Sequence, residues 1–156
     1  RTLGRIANVM SKVTIKAHDE HPAVESAVVD EGIGLSNDAA APLYEVKPLS
    51  CFAYGDAGAA IGGAVGRRWG SCCELQQLWV EPSHRHQGIA TKLVAAFELK
   101  AWSHGCTSFY LETFSFQAPE FYRALGYRVA YENKLFPHSI VRFLMVKQLP
   151  SATSAA

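Results

Sequence analysis

Apolar and polar positions along the chain predict a sequence of short elements. Residues 12–17 alternate around Val13 and Ile15, which suits a first strand, and Pro22 opens a short helical stretch through Ala23, Val24, Ala27 and Val28. Periodicity is poor across residues 31–48. Gly32, Gly34, Asn37, Asp38, Pro42 and Pro48 punctuate that segment, which reads as loops with at most a short helix. Residues 49–54 and 59–67 read as two strands of a hairpin, because Gly55, Asp56, Ala57 and Gly58 between them tolerate positive φ. A second turn at Trp69 and Gly70 leads to a strand over 72–80.

The next stretch organises the rest. Leu78, Trp79 and Val80 end the strand, a polar loop follows, and the series Ile89, Leu93, Val94, Phe97 and Leu99 predicts a helix over 88–104 that stops at Gly105. A strand over 108–113 then makes strand, crossover helix and strand, which implies parallel pairing of 72–80 with 108–113. A short helix over 118–125 ends at Gly126, and residues 127–131 and 139–146 supply two closing strands. The predicted sheet is therefore mixed. One domain over 12–148 is expected, with residues 1–11 a leader and 149–156 a disordered tail.

The loop before the long helix has a physical use. The first helical N–H groups lack intrahelical partners and carry partial positive charge, so an anion such as phosphate can sit there. Gly88 keeps the approach clear, Ala90 keeps the next position small, and His84, Arg85 and His86 add donors. An ordinary capped loop explains the same residues, and the local pattern leaves both readings open.

Composition narrows the classes. The 156 residues carry 15 basic and 14 acidic side chains and a net charge of +1, so no overall field argues for nucleic acid or an anionic membrane. The four cysteines, Cys51, Cys72, Cys73 and Cys106, show no CxxC spacing, and reduced thiols in a cytoplasmic protein are expected. No apolar run is long enough for a membrane span. His84 and His86 flank Arg85 without a third or fourth ligand, so no metal is expected.

Two signatures in this order of elements resemble the GNAT superfamily of acetyl-CoA-dependent N-acetyltransferases. One is Arg85-His86-Gln87-Gly88-Ile89-Ala90, preceded by Leu78-Trp79-Val80-Glu81-Pro82. The other is Ala118, the pair Phe121-Tyr122, and Gly126-Tyr127. The resemblance implies an α/β (α+β) fold: a mixed, mostly antiparallel sheet of six to seven strands, a central parallel pair splayed around the cofactor, and helices on both faces. It implies that the backbone of His86, Gln87, Gly88, Ile89 and Ala90, with Arg85 and Thr91, holds the pyrophosphate of acetyl-CoA, and that the pantetheine arm pairs with Leu78, Trp79 and Val80.

The resemblance implies that Tyr122 is a general acid near the coenzyme sulfur and that Glu74, eleven positions before Arg85, is a strand-borne general base. Packing of Tyr122 and a solvent-facing Glu74 are the bland alternatives. Ser115 stands where the family often has Asn, and Phe116, Gln117 and Phe121 lie where the cofactor channel runs. Trp79 reads as a core aromatic ahead of an acceptor-pocket residue, and Glu112 as structural. Phe114, Phe116, Phe121, Tyr131 and Phe136 read as core or as an aromatic wall.

The expected reaction moves an acetyl group from acetyl-CoA to a primary amine of a small molecule by direct attack in a ternary complex. Acetylation of a protein lysine or amino terminus is the alternative, and a non-catalytic coenzyme A-binding module is the alternative from another class. Asp30, Glu31, Asp38 and Glu45 make a cationic acceptor electrostatically reasonable or are solvated loop charges. A homodimer is common among such relatives.

Overall fold

A computed structural model describes residues 13–150. The chain divides between Pro42 and Leu43 into two compact units, which are taken separately. The leader at 1–11 and the last residues of the tail lie outside the described residues.

In the first unit, residues 13–17 form no strand, contrary to the reading from Val13 and Ile15; Lys12 lies outside the described residues. Alternation alone cannot make a strand, because extended N–H and C=O groups need a partner ladder. Helix α1, Ala23–Ala40, runs on through the segment predicted as loop. No proline lies between Pro22 and Pro42, and a helical glycine costs only about 1 kcal/mol against alanine, so Gly32 and Gly34 weaken the helix without breaking it. Its apolar residues fall in two opposed stripes, with Val24, Val28 and Leu35 on one and Val29 and Ile33 on the other. That is why no single periodic face could be read there.

In the second unit a 3₁₀ turn, Leu43–Glu45, leads into a six-stranded sheet. Its strands are β1 (Lys47–Tyr54), β2 (Ala60–Trp69), β3 (Cys72–Val80), β4 (Ser108–Phe114), β5 (Arg128–Asn133) and β6 (Arg142–Gln148), in the order β1-β2-β3-β4-β6-β5. Every pairing is antiparallel except β3 with β4. The last strand starts later than the predicted 139, because His138 and Ser139 take positive φ (58° and 57°) and cannot be extended.

Helix α2, Ile89–Ser103, packs on β1, β2 and β3 and buries Leu93, Val94, Phe97 and Ala101 against Ala64, Cys73, Leu75 and Leu111. Leu99, included in the apolar series from sequence, points the other way and is 66% exposed. It lies two positions from Phe97, about 200° around a 3.6-residue helix. Helix α3, Pro119–Ala124, brings Phe121 and Tyr122, with Leu125 after it, against the same core. Glu98 is buried in that core, where it accepts hydrogen bonds from the Tyr127 hydroxyl (3.0 Å) and Lys147 Nζ (2.7 Å). A buried charge persists when it is paired and hydrogen-bonded, and this one ties α2 to β6 and to the start of β5.

Two irregularities shape the middle of the sheet. The β2–β3 register jumps from Val65 opposite Gln77 to Gly66 opposite Leu75, so Gln76 bulges out of the ladder. A Cβ at Gly66 would stand 1.9 Å from the Glu74 carbonyl oxygen and 2.8 Å from the Phe97 ring, so only glycine permits that approach. The parallel β3–β4 ladder holds only three rungs, Cys72 with Ser108, Cys73 with Phe109 and Glu74 with Tyr110. Beyond them the strands part, leaving 75–80 and 111–114 unpaired with each other.

Candidate active site

The loop after β3 is built by its backbone. Glu81 N–H donates to Ile61 O (2.8 Å), the 3₁₀ turn Pro82–His84 follows, and Arg85 Nε reaches back to Val80 O (2.9 Å). Arg85 thereby satisfies a carbonyl at the open end of β3. Positive φ at His86 (61°) and Gly88 (77°) then swings the chain into α2. The first α2 bond runs from Lys92 N–H to Gly88 O (3.1 Å), and no side chain caps the helix. The amides of Ile89, Ala90 and Thr91 thus precede the intrahelical ladder at its positive end. His84, Arg85, His86, Gly88, Ile89, Ala90 and Thr91, with Val80 and Phe121, line a cavity of about 250 Å³. Here His84 Nδ1 lies 3.1 Å from Glu81 Oε2 and 3.0 Å from Ser83 Oγ.

Of the residues expected to bind the coenzyme, Val80, Arg85, His86, Gly88, Ile89, Ala90, Thr91 and Phe121 come together at this cavity. Gln87 sits in the same turn without lining it. Leu78 packs on the core. Trp79 does not: it lies on the opposite sheet face, 55% exposed beside Phe52 and Gln77, so the core reading fails. Strand alternation explains this, since its neighbours Leu78 and Val80 take the core side.

Ser115 and Gln117 brace the turn after β4. Ser115 N–H donates to Val141 O (2.8 Å) and Ser115 Oγ accepts from Val141 N–H (3.1 Å), while Gln117 Oε1 accepts from Phe114 N–H (2.8 Å) and Thr113 Oγ1 (3.2 Å). The expected aromatic wall forms in part: Phe114 stacks on Phe116 (5.3 Å) and meets Phe136 edge-on (5.5 Å), whereas Tyr131 is 62% exposed. Tyr122 is wedged edge-on between Phe121 (5.2 Å) and Tyr127 (5.9 Å). Burial pushes its phenol above the ordinary tyrosine range, so at neutral pH it is a protonated donor.

Glu74 is held elsewhere. It lies on the sheet face opposite α2, its Oε2 2.6 Å from Arg67 Nε, in a cavity of about 550 Å³ shared with Trp69, Cys72 and Tyr110. Glu112, on the same face, pairs with Arg142 at 3.2 Å. Arg67 and Tyr110 are absent from the sequence reading. Apolar Phe109 and Leu111 signal that Tyr110 faces away from the core, but only strand register puts it beside Glu74. The cysteines are poor nucleophiles: burial raises the thiols of Cys51, Cys72 and Cys106, and pushes Cys73 up to about 12.

A sheet whose parallel pair opens beside an uncapped helix N terminus can take a phosphate-bearing chain: amides for the phosphates, and a strand edge for an extended arm. These are the features of an acyltransferase that uses an acylated coenzyme. The chain belongs to the GNAT acetyltransferase family, whose description matches residues 22–127. It is 36% identical over 112 residues to the blasticidin-S acetyltransferase of Streptomyces morookaense, a match covering 69% of this chain and 82% of the relative. An acetyltransferase structure from Bacillus cereus is 26% identical with a TM-score of 0.71, covering 86% of this chain and 98% of that one. The fold also matches a nourseothricin acetyltransferase at 23% identity and a TM-score of 0.58, over 66% of each chain. This protein is therefore an N-acetyltransferase that moves an acetyl group from acetyl-CoA to an amine. Among the described residues no helix is long and apolar enough to cross a membrane.

Proposed function

We propose that the acceptor is a primary amine on a small molecule and that it attacks the thioester directly while both substrates are bound. The observation that carries this reading is the end of the β3–β4 ladder at Glu74 and Tyr110. Beyond it β3 and β4 are unpaired with each other, with helix-terminal residues lining one cavity and Glu74 lining another. The amides of residues 86–91 hold the pyrophosphate, and the free edge of β3 near 78–80 pairs with the pantetheine arm. The thioester then lies at the splay, between the two cavities.

Acetyl-CoA supplies an activated acyl group with a thiolate leaving group. The amine gives a proton to Glu74, the C–N bond forms as the C–S bond breaks, and the Tyr122 phenol donates a proton to the departing thiolate. A buried, neutral phenol suits that last role. The small-molecule acceptor draws support from the blasticidin-S acetyltransferase, which covers most of this chain.

The test is thiol release from acetyl-CoA with blasticidin S, spermidine and a lysine-containing peptide, on the wild type and Tyr122→Phe. The expected result is turnover of a small amine, reduced about a hundredfold or more in Tyr122→Phe, within the usual range for losing a general acid. Turnover of the peptide alone would make this a protein acetyltransferase. Coenzyme binding with no thiol release above hydrolysis for any amine would overturn the reading.

A further inference from the structure

One row of side chains crosses the sheet face opposite α2. Arg67 stands opposite Glu74 in the antiparallel β2–β3 register, and Glu74 is in register with Tyr110 across the parallel pair. Directly paired residues project to the same face, and Cys73, Leu75, Phe109 and Leu111 occupy the core side. Glu74 and Tyr110 are thus the last open-face pair before the strands diverge. Arg67 Nε takes one carboxylate oxygen at 2.6 Å. Tyr110, from the other flank, lines the same cavity as Glu74 and Arg67 and stands directly beside Glu74 in the parallel register.

A carboxylate gripped at one oxygen by a single long side chain can still turn about its terminal bonds. A second donor from a different strand removes that freedom. Arg67 is largely exposed, whereas Tyr110 is half-buried and has only two side-chain torsions to fix before its hydroxyl, so Tyr110 is the more rigid of the two supports. Burial and the neighbouring carboxylate push its phenol up, so it remains a protonated donor at assay pH. The other titratable groups near Glu74 are the thiols of Cys72 and Cys73 on its own strand, both raised and neutral, and Arg68 of β2, which lines the same cavity. Glu45 of the 3₁₀ turn is turned to Trp69 Nε1 at 3.3 Å.

We propose that Tyr110 is a positioning residue, which holds the Glu74 carboxylate aimed at the splay between β3 and β4 where the acceptor amine meets the thioester. This rests on the reading of Glu74 as the proton acceptor. Tyr110 itself exchanges no proton with the substrates.

A double-mutant cycle tests it: Tyr110→Phe, Glu74→Gln and the double variant, assayed by thiol release with acetyl-CoA and the panel amine of highest kcat/KM. Coenzyme A binding to each is measured by calorimetry. Tyr110→Phe is expected to lower kcat about tenfold, within the usual range of coupling between contacting groups. The KM for acetyl-CoA and the affinity for coenzyme A should stay unchanged. In the Glu74→Gln background the same substitution should change kcat less than twofold, because its target is gone. An equal loss in both backgrounds, or no loss in the wild-type background, overturns the positioning role while leaving Glu74 in place. Full activity of Glu74→Gln removes the base and Tyr110's role with it.

Discussion

The turn at 81–91 and the row Arg67, Glu74, Tyr110 are built from different materials. In the turn the working groups are backbone amides, presented by a helix end and two positive-φ residues. Its side chains are largely occupied with holding the turn together: Arg85 bonds Val80 O, and His84 lies against Glu81. In the row the working groups are side chains, and the backbone only sets their register. A backbone site should tolerate side-chain changes that leave its dihedrals alone and fail when the approach is blocked. A side-chain site should fail on isosteric changes that leave the fold untouched.

The largest test of that contrast is Glu74→Gln. We expect kcat to fall about a hundredfold, the scale of losing a general base, with calorimetric affinity for coenzyme A unchanged. A change in coenzyme affinity instead would place Glu74 on the donor side.

Next is Gly88→Glu, which sets a carboxylate at the positive-φ mouth of α2. A Cβ there meets nothing within 4 Å, so the fold survives at the cost of a strained φ. Coenzyme A affinity should drop at least tenfold, about 1.4 kcal/mol, by calorimetry. Gln87→Ala beside it should stay within about twofold, because the turn binds through amides. Equal losses in the two variants would mean that the side chains do the binding.

Smaller again is Ser115→Ala. It leaves the Val141 N–H without its acceptor and should cost about 1 kcal/mol in urea unfolding, with coenzyme affinity retained. Loss of affinity with stability intact would make Ser115 a coenzyme contact and not a brace.

Alkaline pH separates catalysis from stability by titration. The Tyr122 phenol is raised, so its donor form persists past pH 10 and the alkaline fall of kcat should begin above that value. The Cys73 thiol is raised from 9 to about 12. The folded state therefore keeps a proton that the unfolded chain loses, and stability should be intact below pH 9 and fall as pH rises toward 12. Thermal melts against pH check the second, and initial rates the first.

The sequence alone determined the parts that depend on neighbours along the chain. The order of strands and helices from residue 49 onward, the glycine at the mouth of α2 and the Phe121-Tyr122 pair were all readable, because capping, turn conformation and amphipathic period are set within a few residues. The mixed sheet followed from a crossover too long for a hairpin. The start of α1 after Pro22 was readable but its length was not, because two glycines and opposed apolar stripes erased its period.

Only the tertiary structure decided the rest. Arg67, Glu74 and Tyr110 are separated by 7 and 36 positions, and the Glu98, Tyr127 and Lys147 cluster by 29 and 49. Shifting a strand by one residue turns every side chain to the other face, so the Gln76 bulge and the three-rung parallel ladder choose which groups meet. Trp79 was misplaced in the core for the same reason: its chemistry fits a core, and its face is a property of register.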